Sequence, residues 1–531
     1  MRTRKLNGSL IARGVLYGIF SSIVVIVASY LATSWFELPF PPFRLFDFIA
    51  RILPGAVITW VIDLMVNVIT ALQIGPTSNM AKAGEQGIAL VQFILLGGVL
   101  GGILGYLRMR IIPRRLTEWG LIIGSALALI LSMIDTYLGG FAGSAVLRII
   151  WLFILLGSWG WVLGWLNQQA AQAVIGKEQK GISRREALLM AGSGLAALIA
   201  SGLGLAFLLS RRPEESGSTL TQNVPTPLPD EKLQNRIQPA PGTRTEITPN
   251  SNFYRIDIDA LPPKIVGNEW QLVLDGMVEN PMTLNLDDIR ARPSYSEYIT
   301  LSCISNQVGG DLISTTLYTG IRLKDLLEEA RLQQGAGELT IESIDGFYES
   351  VSTQDMMDPR TLLVYEMNGA PLPQEHGYPL RIYIPNRYGM KQPKWITHMK
   401  VIAGKGKGYW VDRGWSEEAI VRTTSVIDKI SVSENDQGAM LAGGIAYAGA
   451  RTISKVEIKI DDGPWNEATL RIPPLSDLTW VQWRYQLQTQ QIGEHIARVR
   501  AYDGNGNLQI KEINNPHPNG ATGYDTYTFQ I

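Results

Sequence analysis

Apolar residues fall into long, nearly unbroken runs over the first part of the chain and into short alternating runs after it. The short runs alternate apolar and polar residues, which is typical of half-buried strands. The pattern predicts an α-helical membrane region followed by soluble domains that are rich in strands. Runs of about 20 residues, long enough to cross a bilayer, lie at about 11–33, 88–107, 118–138, 145–166 and 186–209.

A further apolar stretch, about 44–72, is interrupted. It carries Asp47, Arg51 and Asp63, and Pro54 breaks it. Either one crossing, or an interfacial helix followed by a short re-entrant piece, fits this pattern. Asp63 is a candidate functional residue because ionisable side chains are rare inside membranes; it can equally lie near an interface.

Cationic loops predict the orientation of the membrane region. Arg and Lys cluster at 108–115 and 177–185, and such loops favour the cytoplasm. The run 186–209 then leads outward and places everything after Arg212 on the extracytoplasmic side of the cytoplasmic membrane. The basic N-terminus also favours the cytoplasm, which requires none or two crossings between residues 34 and 87.

The segment "SRREALL", residues 183–189, precedes the last apolar run. It resembles a twin-arginine export signal lying inside the chain. A plain positive-inside anchor is the alternative, since paired arginines are common at the ends of membrane helices. Both interpretations place the soluble part outside.

The chain divides into four parts by composition. After the membrane region, 1–211, comes a linker, 212–245, rich in Pro, Ser and Gln with little periodicity. Residues 246–424 mix strands with a short helix, which predicts an α+β domain. Short strands separated by Asp-Gly and Asn-Gly turns predict an all-β antiparallel sandwich over 425–531.

Glycine-rich runs at 97–105 and 192–204 lie within apolar segments and follow no strand. Phosphate-binding loops come directly after a strand and open a helix. The sequence therefore predicts close packing of membrane helices at these runs, as small residues allow.

Composition excludes several functions. Lys and Arg number 47 against 48 Asp and Glu, so nothing indicates the basic face of a nucleic-acid-binding protein. A single Cys excludes an intrachain disulfide, a CxxC redox pair, a CxxCH haem attachment and a protein-held iron–sulfur cluster. The membrane runs carry no His, so they cannot hold a haem between two imidazoles. The four histidines are His376, His398, His495 and His517.

The only cysteine, Cys303, follows a β-rich run and opens a polar turn with Asn306, Gly309, Gly310 and Asp311. A lone Cys is usually a small buried hydrophobe, but this turn is unsuited to hiding a thiol. A metal-bound thiolate needs hydrogen-bond donors around its sulfur, and a tight loop supplies backbone N–H groups. Cys303 is therefore a candidate metal ligand.

Longer motifs resemble the sulfite oxidase family. "LSCISN" and "YTGIRLKDLL" carry the resemblance first, and "YEMNGAPLPQEHGYPLR" through "KW" continues it within 358–396. "TPNSNFYRI" (248–256) matches the family's opening segment. "VEIKIDDGPW" and "VRAYDGNGN" make 425–531 similar to the family's Ig-like dimerisation domain. The resemblance covers about 246–531 and leaves the membrane part unaccounted for. It implies a molybdenum oxidoreductase with a sulfite-oxidase-type molybdopterin-binding domain, which the predicted helices would anchor in the membrane.

The resemblance also implies site residues. Cys303 would supply the thiolate to a molybdenum that a pyranopterin dithiolene otherwise holds. An Arg fork and a Lys point charge suit the phosphate end of such a cofactor. Taken singly, these residues could instead be a solvated strand arginine, a turn-capping histidine or a surface lysine. The implied cofactor contacts are Tyr254, Arg255, Asn306, Asp345, His376, Arg381, Gln392, Pro393 and Lys394.

Two departures concern candidate catalytic residues beside Cys303. The family's active-site tyrosine aligns on Phe347, and Tyr348 is one residue off. The position of the family's sulfite-binding arginine falls on Ile256, with Arg255 adjacent. Tyr348 and Arg255 are therefore the candidates for these two roles.

A third departure concerns charge. Gln307 and Val308 stand where animal and plant members commonly carry two basic residues. A dianionic substrate needs fixed cations to offset its desolvation, and this sequence shows fewer of them. The departure puts sulfite in question, although it leaves the cofactor unaffected.

The expected function is two-electron oxygen-atom transfer on a small oxyanion or sulfoxide. A sulfite dehydrogenase is the leading interpretation, and a sulfoxide reductase of the same family is the alternative. Without a second redox centre, electrons should pass to or from an external carrier, a cytochrome c or a quinone-linked protein. The resemblance further implies a homodimer. A membrane-anchored binding or assembly module without cofactor is the competing hypothesis.

Overall fold

A computed structural model describes most of the chain outside the predicted linker region. The last predicted crossing, 186–209, and the twin-arginine-like segment lie outside the described residues. The chain forms two compact units. The helical unit comprises Met1–Leu53, Lys82–Gly217 and Asp257–Lys264, and the sheet unit comprises Pro54–Ala81, Ser218–Ile256 and Ile265–Ile531. The described residues are 2–72, 75–107, 115–139, 144–175, 233, 235–433, 439–487 and 492–531.

Long helices dominate the N-terminal region, as predicted. They are α1 (Arg2–Phe36), α2 (Pro41–Ile52), α3 (Gly55–Leu72), α4 (Thr77–Leu107), α5 (Leu116–Leu138) and α6 (Ala145–Ile175). Within the described ranges, four helical segments are long and apolar enough to cross a membrane. They confirm the first, second, third and fourth predicted runs and span Ile11–Phe36, Thr77–Leu107, Leu116–Leu138 and Ala145–Ala170.

The interrupted stretch folds as two helices, α2 and α3. The chain turns at Leu53, which has extended backbone angles, and Pro54 follows it. Proline disfavours a helical conformation at the residue before it. Neither helix is among the four membrane-length segments. The part of α3 that comprises Gly55–Ile69 is a shorter apolar helix, and Asp63 lies half-buried on it.

Buried charges in the helical unit are paired with one another. Asp135 on α5 accepts hydrogen bonds from Arg44 Nε (2.8 Å) and Arg148 Nε (2.9 Å). Arg51 Nη2 donates to Asp259 Oδ1 (2.6 Å). Because removing one partner of a buried ion pair leaves an uncompensated charge, these pairs explain why α2 tolerates charged residues.

The glycine-rich run 97–105 lies on α4 where it packs against α1. A Cβ atom on Gly101 would lie 2.9 Å from Gly18 Cα, and a Cβ atom on Gly18 would lie 3.1 Å from Gly98 Cα. Such distances leave no room for a side chain between the backbones. The predicted close packing at this run is confirmed.

Helices α5 and α6 make a second close contact through glycine. A Cβ atom on Gly160 would lie 2.8 Å from Gly124 Cα, whereas one on Gly157 meets nothing closer than Leu121 Cδ1 at 3.8 Å. The Gly160 contact is closer than van der Waals distance, and the Gly157 contact is ordinary. The two positions lie one turn apart on the same helix.

We therefore expect Gly160→Ala to destabilise the helical unit and Gly157→Ala to leave it intact. Overpacking of a close contact costs about 1–3 kcal/mol. Thermal unfolding of both variants in detergent measures the effect. Equal melting temperatures for the two variants would refute the proposed tight contact.

The α+β region of the sheet unit holds two five-stranded sheets, with orders β2-β1-β10-β5-β6 and β3-β4-β7-β8; β9 extends the second by pairing with β7. Strand β1 runs parallel to β10, and the other pairs are antiparallel. This mixture of strands and helices is the predicted α+β pattern. The elements are β1 (Leu272–Gly276), β2 (Met282–Leu284), α7 (Leu286–Arg290), β3 (Tyr295–Ser302), β4 (Ile313–Arg322), α8 (Leu323–Ala330), β5 (Glu338–Ser343), β6 (Tyr348–Val351), α9 (Thr353–Met356), β7 (Leu362–Met367), β8 (Ala370–Pro371), β9 (Arg381–Tyr383) and β10 (Ile396–Ile402).

The C-terminal region forms two four-stranded antiparallel sheets, β11-β12-β16-β15 and β14-β13-β17-β18. One hydrophobic core draws residues from both sheets, among them Trp483, Val456 and Phe529. Antiparallel sheets are thus confirmed here, while the Ig-like strand arrangement stays a prediction. The strands are β11 (Thr424–Ser433), β12 (Ala439–Tyr447), β13 (Ile453–Ile460), β14 (Asn466–Glu467), β15 (Thr469–Leu470), β16 (Val481–Gln486), β17 (Glu494–Asp503) and β18 (Asp525–Gln530).

Candidate active site

Cys303 lies where β3 ends, on the loop that returns the chain to β4. Its N–H donates to Leu312 O (2.9 Å), and its carbonyl accepts from Asn306 N (3.2 Å). The side-chain oxygen of Asn306 accepts from Leu312 N (2.9 Å). These hydrogen bonds close the loop upon itself and fix the direction of the Cys303 side chain. Asn306 therefore braces the loop.

The Cys303 thiol is 8% exposed, and Ser305 Oγ lies 3.0 Å from its sulfur. Burial raises the pKa of Cys303, while hydrogen bonds from Ser305 act in the opposite direction. A coordinating thiol is deprotonated by the metal itself. The site thus supplies a buried sulfur whose thiolate form a metal would stabilise.

Cys303 lines a small pocket, here named the Cys303 pocket, with about 300 Å³ of space that includes open solvent. Its walls include Gln307, Val308, Tyr388 and Arg422. Burial raises the pKa of Tyr388 to about 12, so its hydroxyl keeps its proton at neutral pH. Space of this size suits a small substrate.

A cluster of cations surrounds His376 at another part of the sheet unit. Burial, together with the charges of Lys394, Arg381 and Arg255, lowers the pKa of His376 to about 3. Arg381 Nη1 donates to His376 O (3.1 Å), and Lys394 Nζ donates to Glu375 O (3.1 Å). His376 is neutral in this setting, and its Nε2 donates to Asn250 O (3.1 Å). The cluster concentrates positive charge inside the fold.

Two buried polar atoms at this cation cluster have no hydrogen-bond partner in the part of the chain that the structure describes. They are Arg381 Nε and the hydroxyl of Tyr318, whose ring centroid lies 5.4 Å from the Arg381 guanidinium carbon. Native proteins satisfy nearly all such atoms, so these call for a polar group that the chain itself does not provide. A phosphate-bearing pterin has the required oxygen and nitrogen atoms, and the cations suit its phosphate.

The aromatic residues Phe253 and Tyr254 lie between the two regions. Their rings stack at 5.6 Å, and Phe253 meets His376 edge-on at 5.3 Å. Burial raises the pKa of Tyr254, with the Cys303 thiol as the next cause and the Arg381 charge opposing it. Tyr254 is therefore within electrostatic range of both the sulfur and the cations.

The remaining predicted residues take different positions. Asp345 is buried and accepts from Phe347 N (3.0 Å) in the turn between β5 and β6. Pro393 O accepts from Ile382 N (3.1 Å). Tyr348 donates to Asp412 Oδ2 (2.7 Å), so its hydroxyl is engaged away from the Cys303 pocket. Arg255 belongs with the His376 cation cluster rather than with the lining of the pocket.

Sequence reasoning missed three groups near the sulfur, Ser305, Tyr388 and Arg422. Ser305 and Tyr388 stand inside the motifs "LSCISN" and "IPNRYGMKQPKW", so their place in these motifs is the signal that could have identified them. Arg422 stands more than a hundred residues away, outside every motif. Only the fold brings it to the pocket.

Comparisons with known proteins agree with this geometry. The model of the oxidoreductase molybdopterin binding domain matches residues 259–410. Sulfite oxidase of Arabidopsis thaliana is 27% identical over 328 residues, which are 50% of this chain and 83% of that protein. Mitochondrial sulfite oxidase of Mus musculus is 27% identical over 324 residues, 51% of this chain and 59% of that protein. The uncharacterized oxidoreductase YuiH of Bacillus subtilis is 29% identical over 147 residues, 28% of this chain and 72% of that protein.

The chain therefore carries an oxidoreductase molybdopterin binding domain and is similar to the sulfite oxidases. It is an oxidoreductase, and molybdopterin is its cofactor. The two sulfite oxidase matches each span about half of this chain. The molybdopterin binding domain leaves the cofactor-free binding module without support.

Arg381→Gln should weaken cofactor retention, because it removes a buried cation from the cluster. Loss of one hydrogen bond to a charged group should lower the affinity for the cofactor on the order of tenfold. Pterin and molybdenum content after gel filtration measures it. Arg360→Gln is the control, since Arg360 is exposed and pairs with Asp358 at 2.7 Å. Full pterin occupancy in Arg381→Gln would argue against the assignment.

The lowered pKa of His376 predicts an acid-sensitive fold in cofactor-free protein. Between the ordinary pKa of 6.5 and the folded value of about 3, the unfolded chain binds a proton that the folded chain does not. The contribution of His376 to the free energy of unfolding is therefore complete above the ordinary pKa. It is lost as pH falls, by at most about 1.4 kcal/mol per pH unit.

Thermal unfolding between about pH 7 and about pH 5 tests this contribution. His376→Gln should show a smaller drop in melting temperature than the wild type, because Gln does not titrate. Parallel pH profiles would show that His376 is not the source.

Proposed function

We propose that the protein oxidises a small sulfur oxyanion such as sulfite, as a membrane-anchored sulfite dehydrogenase with Cys303 as its thiolate ligand to molybdenum. The observation that carries the proposal is the position of Cys303, a buried thiol on a braced loop that also lines a small pocket. In the net reaction sulfite and water give sulfate, two electrons and two protons. The bound cofactor supplies the two-electron redox chemistry of this oxygen-atom transfer.

Different residues would hold the phosphate end and the metal end of the cofactor. Arg381, Lys394 and Arg255 would hold the phosphate end, and Cys303 would hold the metal. A soft sulfur ligand suits a transition metal of this kind. Ser305 Oγ, 3.0 Å from the sulfur, donates a hydrogen bond to the thiolate. Such outer contacts orient a ligand and tune its metal.

Electrons must leave through a separate carrier. The one Cys is committed to the metal, and the described part of the chain holds no group of three or more His, Cys, Asp or Glu placed to bind another metal ion. A cytochrome c or a quinone-linked protein is the proposed acceptor. It would meet the protein on the extracytoplasmic side.

The membrane topology supports that side. With no crossing between α1 and α4, the four membrane-length helices and the run 186–209 make five crossings. A cytoplasmic N-terminus then leads to an extracytoplasmic sheet unit, and the twin-arginine-like segment is consistent with export of a folded, cofactor-loaded domain. Dimerisation through 425–531, as an Ig-like domain, completes the proposal.

Sulfoxide reduction by the same site is the second candidate. Gln307 and Val308 line the Cys303 pocket with neutral side chains, and a neutral sulfoxide needs no cation there. Steady-state assays with sulfite and with small sulfoxides distinguish the two reactions. Turnover of sulfoxides without sulfite oxidation would replace the first candidate by the second.

Cys303→Ser should abolish sulfite oxidation while the fold is retained, because the substitution changes one buried atom. X-ray absorption at the molybdenum edge should show one fewer sulfur neighbour at unchanged pterin content. Ser305→Ala alters the same loop and keeps the thiol, so its molybdenum should retain every sulfur neighbour even where its rate of turnover changes. Sulfite oxidation at the wild-type rate in Cys303→Ser would overturn the ligand assignment.

A further inference from the structure

Charge is unevenly distributed around the Cys303 pocket. Among the residues that line it, Arg422 is the one charged side chain; the others are neutral, including Gln307, Val308 and Thr424. An anion that enters this pocket therefore meets a single formal positive charge from its walls. Any selection by charge in the pocket depends on Arg422.

The charge of Arg422 is not compensated by a carboxylate in the described part of the chain, where no ion pair involves it. Its Nε makes one long hydrogen bond to Asn519 O (3.4 Å). Its backbone N–H donates to Tyr388 OH (3.0 Å), which fixes the segment beside the pocket. The guanidinium retains donors for a ligand, since it carries five N–H groups.

Arg451 provides a contrast within the same region. Its Nε donates to Asp503 Oδ2 (3.2 Å), its Nη1 to Asn386 Oδ1 (2.8 Å) and its Nη2 to Val421 O (2.9 Å). The ion pair with Asp503 offsets its charge, and the hydrogen bond to Val421 O holds the residue that precedes Arg422. Arg451 therefore positions the segment, whereas Arg422, which lines the pocket, has no such ion pair in the described residues.

Tyr388 links Arg422 to the sulfur. It lines the Cys303 pocket, its hydroxyl oxygen accepts from Arg422 N, and the Cys303 thiol is among the causes that raise its pKa. A small molecule in this pocket therefore lies beside Cys303, the protonated hydroxyl of Tyr388, and Arg422. Guanidinium groups bind oxyanions through two parallel hydrogen bonds.

We propose that Arg422 binds an anionic oxygen of the substrate in the Cys303 pocket and selects small oxyanions over neutral sulfoxides. This inference rests on the proposed function and names the residue that determines its substrate class. It also accounts for oxyanion binding in a pocket whose positions 307 and 308 are neutral. Loss of the guanidinium removes substrate affinity and leaves the metal and its ligand in place.

The experiment compares full-length, cofactor-loaded wild type with Arg422→Gln, Arg422→Lys and the control Arg331→Gln, whose side chain is exposed. Arg422→Gln should raise KM for sulfite on the order of tenfold or more, as expected for loss of a hydrogen bond to a charged group. Its kcat and its molybdenum content should stay close to wild type. Arg422→Lys should recover part of the affinity, because it restores the charge without the fork.

Binding of sulfate gives a readout that does not depend on turnover. Titration calorimetry with sulfate should show binding to the wild type and to Arg331→Gln, and binding weakened by a similar factor in Arg422→Gln. A variant that has merely lost its fold would lose molybdenum as well, and the Lys variant would not rescue it.

Two results would overturn the inference, and only the second would also overturn the proposed function. If the wild type oxidises sulfite and Arg422→Gln keeps the same KM and sulfate affinity, the role of Arg422 is wrong while the proposed function stands. If the wild type neither oxidises sulfite nor binds sulfate, and reduces sulfoxides equally well with or without Arg422, both are wrong.

Discussion

Like charges held close together repel one another, and the sheet unit gathers the buried Arg381 and the half-buried Lys394 and Arg255 around the neutral ring of His376. A protein interior screens such repulsion far less than water does. An anion bound among the three cations would offset the repulsion and stabilise this part of the fold. The phosphate end of a molybdopterin is an anion of this kind.

The structure separates two electrostatic tasks that the sequence presents together. Cations within the motif around "HGYPLR" surround His376 and suit the cofactor, whereas the pocket beside the sulfur draws its charge from Arg422, at the start of the C-terminal sheets. Arg451, held by Asp503, keeps that second segment in place. With the proposed roles of these residues, substrate affinity would vary independently of cofactor retention, because the two would depend on different parts of the chain.

Much of this could be predicted from sequence because the signals are local. Apolar runs predicted the four described membrane-length helices, and the motif around Cys303 predicted a loop that holds a thiol. The role of Arg422 could not be predicted, since its closeness to Cys303 arises from packing between distant strands. Tyr348 lies one residue from the position on which the family's active-site tyrosine aligns; its hydroxyl donates to Asp412, and its catalytic role stays a prediction.

The depth of the cation cluster also bears on the order of assembly. Arg381 and His376 are each 3% exposed, so a pterin that contacts them has to be enclosed by the fold. We expect its insertion to accompany folding or to require the surrounding strands to separate. With the proposed extracytoplasmic location, cofactor insertion would precede export across the membrane.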